Sequence, residues 1–223
     1  MIEILIAVLI VLTMSVFTLV YYSLDQIKEK KPFKSKISSI VKRTRNEYIV
    51  VTITVVLGLA TWIIGRYLYK HDSIWIYKWI VAISALTPIA AIDFKKKIIP
   101  NKLLLVMLAY TVIIYATQII LNTEYVLSIL GSAFIGLLLG GGVFLLASLF
   151  VKNGIGAGDI KLYGILGFLL AFRGIFNVLL YSMIVSAITG IVLLISKKKK
   201  TKDSLPLAPF TLIGVAVSII LGV

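Results

Sequence analysis

The sequence predicts an all-α, polytopic membrane protein with about eight transmembrane helices. Of its 223 residues 60% are hydrophobic and the mean hydropathy is +1.07, whereas soluble domains are nearer half apolar. The apolar residues are concentrated in runs close to the length of about 20 residues that spans a bilayer. Residues 1–223 are therefore interpreted as one transmembrane domain in the cell membrane.

Eight apolar runs are interpreted as helices, in order along the chain. The first is too long for a signal-peptide core and lacks a basic start and a small-residue cleavage site, so it is expected to be retained. The next four are separated by short polar loops, whereas the sixth and seventh are separated only by Arg173-Gly174. The predicted helices lie near residues 2–22, 48–69, 74–92, 103–121, 126–151, 160–174, 175–195 and 206–223.

The basic residues predict the orientation of these helices. Nineteen of the 23 lysine and arginine residues lie on one side, including eight in the loop 23–47 and five in 196–205. Four more lie in 93–102, and Lys152 and Lys161 complete that side. The positive-inside rule makes this side cytoplasmic and the N-terminus external, with anionic lipid headgroups as partners of the lysine runs. The other side holds Arg66, Lys70, Lys78 and Arg173.

The composition argues against several classes of function. Without cysteine the chain can form no disulfide, no thiolate zinc site and no cysteine nucleophile. Its one histidine, His71, lies between Lys70 and Asp72 in a short polar loop and is interpreted as a solvated residue, not a metal ligand. The net charge of +14 is distributed as membrane orientation signals, which argues against nucleic acid as a partner.

Seven of the nine acidic residues are explained by a position at the outer face or in a lysine-rich cytoplasmic loop, and Asp93 and Asp159 remain. Asp93 lies at the C-terminal end of the third predicted helix, where the negative end of the helix dipole is unfavourable for a carboxylate. Its alternative role is an interfacial charge neutralised by Lys95 to Lys97. Asp159 precedes the helix 160–174, so its alternative role is an N-cap. The residues at the outer face are Glu3, Asp72 and Glu124, and those in lysine-rich cytoplasmic loops are Asp25, Glu29, Glu47 and Asp203.

The two aspartates are predicted to meet at one face of the membrane. A helix from Asp159 to Arg173 is about 21 Å long, shorter than the core of about 30 Å, so Asp159 is expected below the membrane surface, where an ionisable residue indicates function. Two crossings separate Asp93 from Asp159, which returns both to the cytoplasmic side. Paired carboxylates that share a proton can activate water and polarise a scissile carbonyl. Gly156 and Gly158 would let the backbone turn and a substrate strand lie against it.

Three sequence blocks resemble the type IV prepilin peptidases and the related archaeal preflagellin peptidases. Asp93 lies in "AIDFKKKIIPNK"; Asp159 lies in "GIGAGDIKLYGILGFLLA", which contains the GxGD signature of intramembrane aspartyl proteases; and residues 205–214 read "LPLAPFTLIG". The "ID…IPN" block favours this branch over the presenilin-like proteases. The resemblance covers roughly residues 75–223, which are interpreted as the peptidase core.

The resemblance implies an aspartic endopeptidase with Asp93 and Asp159 as its catalytic pair. It implies prepilin-like substrates, whose short basic leader is removed on the cytoplasmic side just before a hydrophobic helix, within a pilus or secretion system. Proteolysis would need no cofactor. For Lys161, snorkelling to the interface is an equal alternative to a role near the pair. The supporting residues that match family positions are Pro100, Asn101, Gly156, Gly158, Lys161, Pro206 and Pro209.

The first third of the chain departs from the resemblance. Many bacterial members carry a longer first cytoplasmic loop with two Cys-x-x-Cys pairs, a zinc-binding pattern, and also N-methylate the new pilin terminus. Here the loop 23–47 is short and contains no cysteine. No zinc is therefore expected, and the chain is predicted to cleave without methylating; S-adenosylmethionine would be required only for methylation.

Two other classes of function fit parts of the sequence. A small proton- or cation-coupled transporter component could use the same two aspartates, but a transport site is expected near the midplane of the membrane. A scaffold within a pilus or secretion machine would need neither carboxylate. The placement of Asp93 and Asp159 at one face favours the peptidase.

Overall fold

The computed structural model describes residues 2–28, 45–150, 156–196 and 205–223. No strand occurs in these ranges, which confirms the all-α prediction. A π-helical turn, Ile64–Leu68, continues the second helix, and a short 3-10 turn, Thr123–Tyr125, precedes the fifth. The α-helices of the described ranges are α1 Ile2–Lys28, α2 Arg45–Ile63, α3 Ser73–Lys96, α4 Asn101–Leu121, α5 Val126–Phe150, α6 Ala157–Ile195 and α7 Ala208–Leu221.

The described helices α1 to α6 are long and apolar enough to cross a membrane, and α7 is a shorter apolar helix. Large apolar side chains cover their outer surfaces: Leu127 is 88% exposed and Phe150 is 86% exposed. Extended apolar surface of this kind marks contact with a membrane. The chain is a multi-pass membrane protein. Six described helices are long enough to span a membrane, so the prediction of about eight transmembrane helices holds only approximately.

Helix α3 forms the centre of the bundle. Its residues 79–90 are buried without interruption, and it contacts α1, α2, α4, α6 and α7. A helix that is apolar on all sides is stable when its whole circumference is covered, and here other helices cover it. Because Asp93 lies in the last turns of α3, a fully packed element positions this carboxylate.

Helix α6 reverses direction at Ala171, where φ is 58° and ψ is −174°. The hydroxyl oxygens of Tyr163 and Ser182 lie 3.1 Å apart, whereas these positions would be about 28 Å apart in a straight helix. The segments on the two sides of Ala171 therefore form an antiparallel hairpin.

The turn of this hairpin was expected at Arg173-Gly174, and that expectation is wrong by two residues. Gly174 has helical backbone angles. A β-carbon added to it would lie 2.8 Å from the β-carbon of Leu170 and 3.6 Å from the ring of Trp79. The small size of this glycine therefore serves packing, and the reversal occurs at Ala171 instead.

The substitution Ala171→Gly is expected to stabilise the protein. A non-glycine residue in this backbone conformation carries strain of about 1–3 kcal/mol, and the greater freedom of glycine in the unfolded chain offsets about 0.4–1 kcal/mol of the gain. We expect a net gain of roughly 1 kcal/mol, measured by unfolding in detergent. The control Ala116→Gly, in the regular interior of α4, should destabilise by about 0.5–1 kcal/mol. A lower unfolding midpoint for Ala171→Gly would contradict strain at the turn.

Glycines of α5 allow α6 to approach closely. A β-carbon on Gly136 would collide with the backbone of Gly167 and Ala171, and one on Gly140 would collide with the carbonyl oxygen of Tyr163. Small residues at helix contacts let backbones meet inside a membrane. Gly136 and Gly140 therefore serve packing, and this contact fixes the first half of α6.

Two residues that were assigned to polar loops, His71 as a solvated residue and Glu47 as a loop charge, are packed instead. His71 stacks on Trp75 with ring centroids 3.8 Å apart, and its Nε2 is buried. Glu47 lies in the first turn of α2 and is only 6% exposed. The flanking helices are longer than predicted, since α1 includes residues 23–28 and α2 includes residues 45–47 of the predicted loop. The rest of the predicted loop 23–47 lies outside the described residues.

The bundle has two distinct ends. At one end, Ser73 Oγ donates a hydrogen bond of 2.6 Å to Glu3, and Arg66 lies 3.5 Å from the same carboxylate. The opposite end, termed the aspartate end, is formed by the end of α3, the start of α4, the end of α5 and the starts of α6 and α7. Asp93 and Asp159 both lie at the aspartate end, as the count of crossings predicts.

Candidate active site

Asp93 is buried where the last turns of α3 meet the first turn of α7. It is 5% exposed. Its Oδ2 accepts a hydrogen bond of 3.0 Å from the backbone N–H of Ala208, and the N–H of Leu207 also donates to the carboxylate. Free N–H groups at a helix N-terminus are a favourable environment for an anion. These donors orient the carboxylate and satisfy part of its hydrogen-bonding capacity inside the bundle.

Two prolines of the sequence block 205–214 lie on either side of these N–H donors. Pro206 precedes the N-cap residue Leu207, and Pro209 is the second residue of α7. Proline has no backbone N–H, and it is well tolerated in the first turn of a helix, where that group has no partner within the helix. Leu207 and Ala208, between the two prolines, are therefore the residues whose N–H groups are available to Asp93.

Asp159 lies within the first turn of α6. The helix begins at Ala157 with Gly156 as its N-cap, and Asp159 Oδ2 accepts a hydrogen bond of 3.2 Å from the N–H of Gly156. The alternative in which Asp159 is itself the N-cap is wrong, because the backbone becomes helical two residues earlier. The carboxylate still contributes to capping by bonding back to Gly156, at the helix end that favours negative charge.

The loop after α3 brings the two aspartates together. A β-carbon added to Gly158 would lie 3.0 Å from the β-carbon of Ile99, closer than normal van der Waals contact. The GxGD segment therefore rests directly against the loop that follows Asp93. This contact places Asp159 near the end of α3 that carries Asp93.

The remaining predicted site residues lie beside this pair. Pro100 is the N-cap of α4, and its carbonyl oxygen accepts the N–H of Leu103 at 3.1 Å. Asn101 and Lys161 are both exposed and line one groove between α4, α5 and α6. The structure thus gives Pro100 a capping role and places Asn101 and Lys161 at a common groove.

Tyr163 is a residue of this region that the sequence analysis missed. It lies one helical turn after Asp159 and is 1% exposed. Its hydroxyl is 2.7 Å from Thr211 Oγ1 and 3.1 Å from Ser182 Oγ, and its ring stacks on Phe144. This cluster ties the first half of α6 to α7, whose N-terminus donates to the other aspartate. The signal in the sequence was a polar residue four positions after Asp159, on the same helix face.

The site offers two carboxylates with backbone N–H groups around them. Within the described ranges, no group of three or more His, Cys, Asp or Glu is placed to bind a metal ion. Two carboxylates that interact titrate as a pair, so that one can act as a base while the other keeps a proton. Such a pair can carry out acid–base chemistry on a water molecule.

Comparisons with known proteins agree with this site. The sequence model of the type IV leader peptidase family matches residues 80–191, a range that contains both Asp93 and Asp159. A similar protein is the prepilin leader peptidase/N-methyltransferase of Bacillus subtilis (strain 168), 26% identical over 153 residues. The match covers 67% of this chain but 58% of the relative, less than two thirds of its length. No solved structure matches this chain.

The fold and the site define a multi-pass helical membrane protein with paired carboxylates at one end of the bundle. The family match extends over half of the chain. The chain belongs to the type IV leader peptidase family, which confirms the resemblance seen in the sequence blocks.

Proposed function

We propose that this protein is a membrane-embedded aspartic endopeptidase that removes the basic leader of prepilin-like proteins. Membership of the type IV leader peptidase family supports this kind of processing, and the similar Bacillus subtilis protein is named for the prepilin leader. The observation that best supports an aspartic mechanism is that Asp93 and Asp159 lie at the same end of the bundle, with the GxGD segment packed against the loop that follows Asp93.

In the proposed mechanism the two carboxylates act as one unit. One of Asp93 and Asp159, ionised, takes a proton from a water molecule whose oxygen attacks the scissile carbonyl. The other, protonated, donates a hydrogen bond to the carbonyl oxygen and stabilises the charge that develops there. Transfer of a proton to the leaving amine completes the cleavage. Gly156 is exposed beside the pair, which leaves its backbone accessible to an extended substrate segment.

Incubation of the purified full-length protein with candidate prepilins tests this function. Without added zinc or other cofactor, mass spectrometry should show a new N-terminus immediately before the hydrophobic helix. The same spectrum reports methylation, and we expect an unmethylated terminus because the chain contains no cysteine for the Cys-x-x-Cys pairs of bifunctional relatives. If none of the candidate prepilins is cleaved, the proposed peptidase activity is wrong. Methyl transfer from S-adenosylmethionine to the product would refute the expectation of an unmethylated terminus.

We further propose that the aspartate end faces the cytoplasm, because the lysine-rich loops adjoin this end. In intact cells, Ser35→Cys and Ser196→Cys should each be shielded from an impermeant thiol reagent and should react after permeabilisation. Asp72→Cys, an exposed position at the opposite end, should react both in intact cells and after permeabilisation. Reaction of the Ser35 or Ser196 variant from outside would reverse the proposed orientation.

A further inference from the structure

A groove leads away from the aspartate end along the outer surface of the bundle. It is formed by α4, α5 and the first half of α6 and has a volume of about 620 Å³. Its walls include leucines that are open to the membrane, since Leu105 is 66% exposed and Leu138 is 54% exposed. Asn101 and Lys161, the polar side chains among its described lining residues, both lie at the aspartate end.

The groove begins next to the candidate catalytic pair. Ile160 and Lys161, the two residues after Asp159, both line it, and it continues along α6 as far as Phe168. The seven helical rises from Lys161 to Phe168 correspond to about 10 Å or two helical turns. The groove therefore runs from beside Asp159 toward the interior of the membrane.

Glycines form the floor of the groove. A β-carbon added to Gly142 meets no atom within 4 Å, so this position faces open space, and one added to Gly141 would lie 3.3 Å from the Cα of Gly164. Lipid chains are as apolar as leucine, so a helix gains little in a membrane from apolar contact alone and is held by close packing at small residues. A glycine floor with leucine walls provides the conditions for such packing.

We propose that this groove binds the first two turns of the hydrophobic helix of the substrate, immediately after the scissile bond. This inference rests on the proposed function and adds the place where the substrate is held. The charge of Lys161 at the mouth repels a basic leader, so the leader stays outside while the apolar helix enters. The boundary between charged and apolar sequence then lies beside Asp159 and sets the position of cleavage.

Filling the groove tests this proposal in the full-length protein. Gly142→Leu places a side chain in the groove, whereas Gly131→Leu places the same side chain in open space elsewhere on α5. We expect Gly142→Leu to raise the KM for a membrane-inserted prepilin about tenfold, equivalent to about 1.4 kcal/mol of binding, with a much smaller change in kcat. Gly131→Leu should resemble wild type. Equal KM values for the two variants would overturn the proposal.

Cross-linking provides a measurement that does not depend on filling the groove. The chain contains no cysteine, so one can be introduced at Leu138, which lines the groove, or at Val143, which is on another face of α5. In an Asp93→Asn background that binds substrate without cleaving it, a thiol-reactive probe in the first two turns of the substrate helix should capture Leu138→Cys and not Val143→Cys. Equal capture of both variants would overturn the proposal. The proposal would also be overturned if Leu138→Cys formed cross-links only to lipid or to a second copy of the chain.

The groove and the proposed function fail in different ways. If the wild-type protein cleaves no prepilin, the function itself is wrong. If wild type cleaves but Gly142→Leu and Gly131→Leu have the same KM, the peptidase stands and the groove is not its substrate site.

Discussion

Asp93→Asn and Asp159→Asn should each abolish leader cleavage while leaving the protein folded in the membrane. Asparagine keeps the shape of aspartate and can donate a hydrogen bond, but it cannot take a proton from water or share one with its partner. The loss expected from acid–base chemistry is about 10²–10⁴-fold, and the larger value is expected because the pair also orients the water. The double variant should be no slower than either single variant, since the two residues act as one unit. Initial rates with a purified prepilin measure both effects.

Asp72→Asn is the matched control for these variants. Asp72 is an exposed carboxylate at the end of the bundle away from the candidate active site, and its side chain makes no capping hydrogen bond to α3. Its variant should cleave at nearly the wild-type rate, as should Asp203→Asn, which lies in a lysine-rich segment outside the described residues. If Asp93→Asn kept most of its activity in a folded protein, the paired-carboxylate mechanism would be wrong.

Gly158→Ala should also lower activity strongly, although it changes no catalytic group. Its new β-carbon would lie 3.0 Å from the β-carbon of Ile99, so the GxGD segment and the loop after Asp93 must move apart. A displacement of about 1 Å in a catalytic group can reduce the rate about 10²-fold. We expect a reduction of about 10–10²-fold in kcat, with protein levels and thermal stability close to wild type.

Removal of the opposing atom should rescue this variant. Ile99→Gly deletes the β-carbon that Gly158→Ala would strike, so the double variant should recover most of the lost activity, which demonstrates direct coupling of the two positions. Gly131→Ala, where a β-carbon meets nothing within 4 Å, should have no effect. An unimpaired Gly158→Ala enzyme would show that this contact does not set the spacing of the aspartates.

The position of Asp93 and Asp159 at the same end of the bundle could be predicted because it depends only on the number of membrane crossings between them. Apolar runs near 20 residues identify the crossings, and an even number of crossings returns the chain to the end from which it started. Distances and partners could not be obtained in this way. The hydrogen bond from Ala208 to Asp93 depends on how α7 packs against α3, and no pattern within either segment encodes that packing.

The turn within α6 could not be predicted because packing overrides local preference there. Gly174 is the residue expected at the turn, because glycine has the greatest backbone freedom. In the structure Gly174 instead packs against Trp79, and the reversal occurs at Ala171. Tyr163 was missed for a related reason. A tyrosine in an apolar helix can be a core residue or an interfacial one, and its role depends on the partner of its hydroxyl, here Thr211.

The hydrogen bond between Asp93 and Ala208 has a consequence for biosynthesis. The two residues are 115 positions apart in the chain, and a ribosome that adds about 5–20 residues per second needs roughly 6 to 23 s to pass from one to the other. Until α7 has been translated and inserted, Asp93 lacks the donors that orient it. A nascent copy is therefore expected to remain latent during its own synthesis, and the proposed activity is expected to begin only when the last described helix joins the bundle.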